Sequence, residues 1–171
     1  FDGARWVAKP MNAGRATTRG LELETKFPLK ALMKDAPAID LRASVSANWS
    51  RVDGVPGPDN RLDGQNPLSA NLGFDYKRTD FTTGASFAYK QAGTVRVSDR
   101  QTNFLVARRE LEAYALYKFN PKQQLRVALS NLLGQDFVNR SSYVEQGRGP
   151  VLRDSVFKAG PSLRATLELK F

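Results

Sequence analysis

The sequence predicts an all-β fold, a segment of a transmembrane antiparallel β-barrel, on three observations. Apolar residues recur at every second position in seven separate stretches, the connections between them alternate between short and long, and aromatics collect at both ends of the apolar face. A period of two is what a strand with one apolar and one polar face must show, since successive side chains point to opposite sides. No apolar run approaches the roughly 18 residues of a membrane-crossing helix, so any crossing is made by strands.

The elements follow in order. A weak strand around residues 5–9 comes first, and then Leu21, Leu23, Thr25 and Phe27 alternate with Gly20, Glu22, Glu24 and Lys26. Ile39, Leu41, Ala43, Val45, Ala47 and Trp49 are separated by Asp40, Arg42, Ser44, Ser46 and Asn48. Leu68, Ala70, Leu72, Phe74 and Tyr76 form the next apolar face, followed by Phe81, Ala85, Phe87 and Tyr89. Leu111, Ala113, Ala115, Tyr117 and Phe119 continue the pattern, then Leu125, Val127 and Leu129, and last Leu163, Ala165, Leu167, Leu169 and Phe171. Most of these stretches reach the roughly 9–11 residues that a tilted strand needs to cross a bilayer.

Between the strands, KRTD and NPKQQ are tight turns, whereas VDGVPGPDNRLDGQNP, TVRVSDRQTNF and GQDFVNRSSYVEQGRGPVLRDSVFKAG read as long loops on the other rim. PLKALMKDAPA is the exception, a longer connection on the short-turn side. Short turns on one rim and long loops on the other are expected of an outer-membrane barrel, the short ones being periplasmic. Phe27, Tyr76, Phe81, Phe119 and Phe171 lie at the short-turn end of the apolar face, and Trp49 and Tyr89 toward the opposite end. Two such rings match the girdles of aromatics that sit at headgroup level. A self-contained eight-stranded barrel with a structural or adhesive role shares these features. A soluble basic β protein binding nucleic acid would need aromatics beside its Lys and Arg for base stacking, and here they lie mostly on the opposite face.

The chain of 171 residues has no Cys and no His and a formal net charge of +9. Disulfides, thiolate nucleophiles and imidazole bases are thereby excluded, and an anionic partner is implied. FDGARWVAKP has no signal-peptide pattern, which makes the chain cytosolic or else a mature or internal segment. Glu22 with Glu24 and Glu110 with Glu112 are carboxylate pairs on strand faces among basic neighbours, a structural arrangement, so no enzyme activity, cofactor or metal is expected. DNRLDG, with Asp59, Asn60 and Asp63, loosely resembles a calcium loop but lacks its spacing and terminal Glu, and Asp-Gly turns account for it.

If the apolar faces meet lipid, the polar faces line a lumen and their charges should pair. Aligning neighbouring strands through their connections places Glu24 beside Arg42, Arg42 beside Asp75, and Lys90 near Glu110 and Glu112. Such pairs contribute about 0.2–1 kcal/mol each, so they serve register more than stability. Arg51, Arg61, Arg96, Arg100, Arg108, Arg140 and Arg148 lie in or beside the long loops, with Arg109, Arg153 and Lys158, and form an anion-binding rim suited to lipopolysaccharide or an anionic ligand. Strict alternation points Arg96 and Arg108 inward and Arg109 outward.

The run NAGRATTRGLELETKFPL, the strand RRELEAYALYKF, the segment LRVALSNLLGQDF and the ending LRATLELKF resemble the last strands of TonB-dependent outer-membrane receptors of the ferric-siderophore and colicin-receptor type. The resemblance implies a bacterial outer-membrane location with a periplasmic C-terminus, and a barrel of about 22 strands closed by a plug. Residues 1–171 would supply about its last seven or eight strands, without the plug, the TonB box or the earlier strands. It further implies import of an anionic ferric chelate, energised by TonB through the plug, and assembly by the barrel-assembly machinery, which reads such a C-terminal strand. The partners implied are outer-membrane lipid, lipopolysaccharide and the rest of the receptor, and no nucleic acid.

Overall fold

The computed structural model describes residues 14–170 apart from 146, 148 and the side chain of Glu145. The strands are β1 (Ala16–Pro28), β2 (Ile39–Val52), β3 (Leu68–Lys77), β4 (Phe81–Lys90), β5 (Gly93–Arg96), β6 (Gln101–Leu105), β7 (Arg108–Asn120), β8 (Gln123–Ser130), β9 (Phe137–Glu145), β10 (Gly149–Phe157) and β11 (Ser162–Leu169). One 3-10 turn, Leu29–Ala31, lies between β1 and β2. The seven alternating stretches of the sequence are the seven strands of one antiparallel sheet, ordered β1-β2-β3-β4-β7-β8-β11. The weak strand expected at residues 5–9 lies outside the described residues.

Register makes the two faces continuous across the sheet. Phe27 stands opposite Leu41, and the row continues through Phe74, Ala85, Ala113 and Leu129 to Leu163. All seven members are apolar because directly paired residues share a face. This row starts one residue from the end of β1, at the short-turn rim, and leaves the sheet one residue after the start of β11, at the opposite rim. Strands have therefore slipped steadily past one another, the stagger that a closing barrel requires.

Two findings separate this sheet from a soluble core. The chain exposes 12696 Å², whereas a soluble monomer of its size exposes about 8,400 Å². Among the described residues the only buried hydrophobic side chains are Ala36, Val52, Val55 and Val95. Leu21, Leu23, Leu72, Leu163 and Leu167 are each more than half exposed on the apolar face. The sheet is open: among the described residues the outer edges of β1 and β11 carry no neighbour.

The connections correct the sequence reading. Two of the three long loops fold into a second sheet, ordered β10-β9-β6-β5, in which hairpins β5–β6 and β9–β10 join through β6 and β9. Alternation is faint in these polar, Arg- and Asn-rich stretches, and the β6–β9 pairing joins residues far apart in sequence, so no local signal announces it. The third loop, 53–67, is stitched down by the Asn60 amide, which donates to the Val52 and Val55 carbonyls at 2.9 Å, and by the Arg96 N–H, which donates to the Asp59 carbonyl at 2.8 Å. Asn131, at φ 50°, spans from the end of β8 to the carbonyls of Ala159 at 3.1 Å and Gly160 at 3.3 Å, fixing where β11 begins.

Candidate functional site

Two groups of side chains stand on the polar face, one midway along the strands and one at the long-loop rim. The first centres on Asp75 of β3. Arg42 of β2 donates to one carboxylate oxygen at 2.5 Å and the Tyr114 hydroxyl of β7 donates to the other at 2.6 Å. The Arg126 guanidinium of β8 lies over the Tyr114 ring, 4.7 Å from its centre. Four strands are thus tied by one chain of side chains. Two glycines make the span possible. A Cβ on Gly73 would lie 2.7 Å from Arg42 Nε, and one on Gly84 would lie 2.6 Å from Asp75 Oδ1 and 2.8 Å from Tyr114 Cε1. Glycine inside a strand commonly marks such a close approach.

The second group lines a cavity of about 840 Å³ between the far ends of β4 and β7 and the rim sheet. Lys90, Arg108, Glu110 and Glu112 form its floor, and Asn103 and Arg153 stand on the rim sheet. Arg108 donates to Glu110 at 2.5 Å and lies 4.2 Å from the centre of the Phe137 ring. Asn103 donates to both Asp63 carboxylate oxygens, at 3.0 and 3.1 Å. Arg153 makes no hydrogen bond or ion pair among the described residues, which leaves its guanidinium edge open to the cavity.

Two ion pairs, each with one member on the cavity lining, clamp the β9–β10 hairpin. Arg140 grips Asp154 through Nε and NH2 at 2.8–3.1 Å, and Lys158 bonds Asp136 at 2.8 Å. The Arg140 hydrogen bond holds the Asp154 carboxyl below the usual carboxylate range. Lys158 and then the Ala159 amide do the same for Asp136.

Measured against the sequence reading, Arg42 and Asp75 do stand side by side on adjacent strands. Glu24, however, is opposite Ser44, and Arg42 faces Lys26. The long connection between β1 and β2 is not a tight turn, so counting through it misplaced the register by two residues. Lys90 stands opposite Arg108, and Glu110 is bonded to Arg108 instead of to Lys90. Arg96 also departs from expectation. It shares a face with Thr102, opposite to the face of Val95 and Asn103, and donates to the Gly57 carbonyl at 3.1 Å. Residues 91–92 belong to no strand, so alternation is not carried from β4 into β5.

Arg51, at the end of β2, and Arg61 and Arg100, in loops, lie 3.7–3.8 Å from Asp53, Asp59 and Asp99, in pairs one or two residues apart in the chain and away from the cavity lining. Arg148 lies outside the described residues. The Asp59 and Asp63 carboxylates turn to different partners, Arg61 and Asn103. Phe27, Tyr76, Phe81 and Phe119 end their strands at the short turns, and the rings of Tyr117 and Phe119 meet edge to face at 5.1 Å across a bulge in β7. Trp49 and Tyr89 lie toward the other ends of β2 and β4, and Phe171 is outside the described residues. Sequence reasoning missed Tyr114 and Arg126 and left Arg153 as one loop base among many. The signal available was Gly73 and Gly84, gaps in the polar faces of the adjacent strands β3 and β4.

A family model described as TonB dependent receptor-like, beta-barrel matches residues 2–132. No curated protein and no solved structure matches the chain.

Proposed function

The chain belongs to the TonB-dependent receptor β-barrel family, and from that premise we propose that it forms the C-terminal wall of a receptor that imports a ferric siderophore or similar anionic metal chelate. The family is one of outer-membrane transport, so the two-faced sheet is read as barrel wall, with Leu and Phe toward lipid and Asp75, Tyr114 and Arg126 toward the lumen. The aromatic ends of the strands, Phe27, Tyr76, Phe81 and Phe119 on one side and Trp49 and Tyr89 on the other, would lie at the two membrane interfaces, with the short turns in the periplasm. The edges of β1 and β11, unpartnered among the described residues, support further strands beside them. A plug within the closed barrel would receive energy from TonB, and the terminal strand would be read by the barrel-assembly machinery.

One observation carries the ligand reading, the cavity at the long-loop rim with the Arg153 guanidinium open to it. Arg108, paired with Glu110, stands on its floor against the Phe137 ring of the rim sheet. An anion entering from outside would meet Arg153 first, because a planar guanidinium without a protein partner is suited to carboxylate or catecholate oxygens. Outer lipopolysaccharide phosphates would meet the loop arginines Arg51, Arg61 and Arg100. The test is binding of a panel of ferric catecholate and ferric hydroxamate chelates to the full-length receptor. Arg153→Ala should weaken binding of the transported chelate about tenfold, the loss of one charge-assisted contact. Arg100→Ala should leave it unchanged. Equal affinity of the Arg153→Ala receptor and the parent would put the ligand site elsewhere.

A further inference from the structure

The connection 29–38 stands apart from every other short turn. Its neighbours on the same rim, 78–80 and 121–122, are polar and tight, whereas this one displays Leu32 at 69% and Met33 at 61% exposure between Lys30 and Lys34. Its backbone is closed on itself: the Leu32 and Met33 N–H groups donate to the Leu29 carbonyl at 3.0 and 3.1 Å, and the Ala36 N–H donates to the Met33 carbonyl at 3.1 Å. These three N–H groups are satisfied within the segment, which lowers the cost of taking Leu32 and Met33 out of water. Beneath it Asp40, at the start of β2, is bonded to Lys77 of β3 at 2.6 Å.

The charge around this rim has a definite layout. Lys30, Lys34, Arg78, Lys122 and Lys170 are exposed on four different connections or strand ends, against Asp35 and Asp80. None of the five bases has an ion-pair partner among the described residues. The bases therefore follow the rim as a ring, where a protein partner would select one patch. The ring lies level with Phe27, Tyr76, Phe81 and Phe119, the aromatic end of the lipid-facing surface. The apolar face runs through the Phe27–Leu41 pair directly into connection 29–38.

We infer that connection 29–38 is a membrane-interface anchor for anionic glycerophospholipid. Leu32 and Met33 insert at the headgroup–acyl boundary, and Lys30 and Lys34 hold the phosphates, with Arg78, Lys122 and Lys170 continuing the contact around the rim. Burying apolar side chains while long basic ones reach the phosphates is the arrangement of an interfacial anchor. The inference rests on the proposed orientation, short turns toward the periplasm, and is independent of the ligand.

The chain has no cysteine, so Met33→Cys and Thr79→Cys each introduce one site for a label in it. The full-length receptor carrying either change is reconstituted in bilayers of phosphatidylcholine with or without phosphatidylglycerol, and a nitroxide reports collision with oxygen against an aqueous nickel chelate. Position 33 should be oxygen-accessible and position 79 nickel-accessible. Native mass spectrometry should show phosphatidylglycerol retained, with retention falling about fivefold for each of Lys30→Gln and Lys34→Gln. Nickel access at position 33 equal to that at 79, or retention unaffected by both lysine changes, overturns the anchor. Retention of lipid A in place of phosphatidylglycerol overturns it as well. Orientation is read separately: an impermeant maleimide should label Thr79→Cys only after the outer membrane of cells is permeabilised, and labelling of intact cells would reverse the rim assignment itself.

Discussion

Asp75 accepts hydrogen bonds from Arg42 and Tyr114, which are rooted on strands either side of β3 and β4, and both reach it across positions that carry no side chain. Gly84, the buried residue of β4, is the tighter of the two. A Cβ there would lie 2.5 Å from the Phe74 carbonyl oxygen as well as against Asp75 and Tyr114, and a backbone atom cannot swing aside. Gly84→Ala should therefore destabilise the barrel by about 1–3 kcal/mol, the usual scale of overpacking. Tyr114→Phe removes one donor and leaves Arg42 on the carboxylate, and should cost about 1 kcal/mol. Urea unfolding of the micelle-bound barrel would rank the two, and a Gly84→Ala barrel as stable as the parent would show that the trough can widen at no cost. The same paired groups explain why Lys26 and Arg42, like charges set opposite each other, are tolerated: Asp75 neutralises the second.

At the scale of elements, the β9–β10 hairpin depends on charge where the seven-stranded sheet depends on apolar contact and ladder hydrogen bonds. Asp154 and Asp136 titrate below their ordinary 3.8 because Arg140 and Lys158 bond them. A carboxyl whose folded pKa lies below its unfolded one binds fewer protons in the folded state. Its stabilising contribution is complete above 3.8 and is lost as pH falls through the folded value. Amide exchange in β9 and β10 should therefore accelerate below that pH relative to β7 and β8. In an Asp154→Asn, Asp136→Asn double variant that acid dependence should vanish; its persistence would assign the loosening to other carboxylates. The membrane connection 29–38 shows the complementary case, an element of three helical residues whose chemistry is all on its outside.

The whole molecule is a wall with two solvents. Val45 and Ser46 are neighbours in the chain, yet Val45 pairs with Leu23 and Ala70 on the apolar face while Ser46 pairs with Glu22 and Ser69 on the polar one. Val45→Lys should cost about 2 kcal/mol or more, the penalty of a lysine facing the middle of a bilayer. Ser46→Lys, beside Glu22, should be close to neutral. Heat-modifiable mobility of the two barrels on gels, with their yield in outer-membrane fractions, separates them; equal loss for both would contradict a lipid-facing and a water-facing side. The edges of β1 and β11, free among the described residues, belong to the same scale, since an open sheet in lipid leaves backbone N–H and C=O groups unsatisfied and calls for further strands.

The seven wall strands, their apolar sides and the alternation of short and long connections were all legible from the sequence. A period of two survives translation into structure because lipid imposes one rule on every apolar position, whatever its neighbours. Register was legible in part: KRTD holds β3 to β4 and Arg42 stands beside Asp75 across loop 53–67, while connection 29–38 lets Glu24 slip two residues from Arg42 and β7 sets Arg108 opposite Lys90. The rim sheet, the reversal of Arg96 and the cavity open to Arg153 were decided by tertiary structure alone. Each depends on pairing between segments distant in the chain, β6 with β9 and loop 53–67 with β5, whose hydrogen bonds leave no periodic trace in the residues that make them.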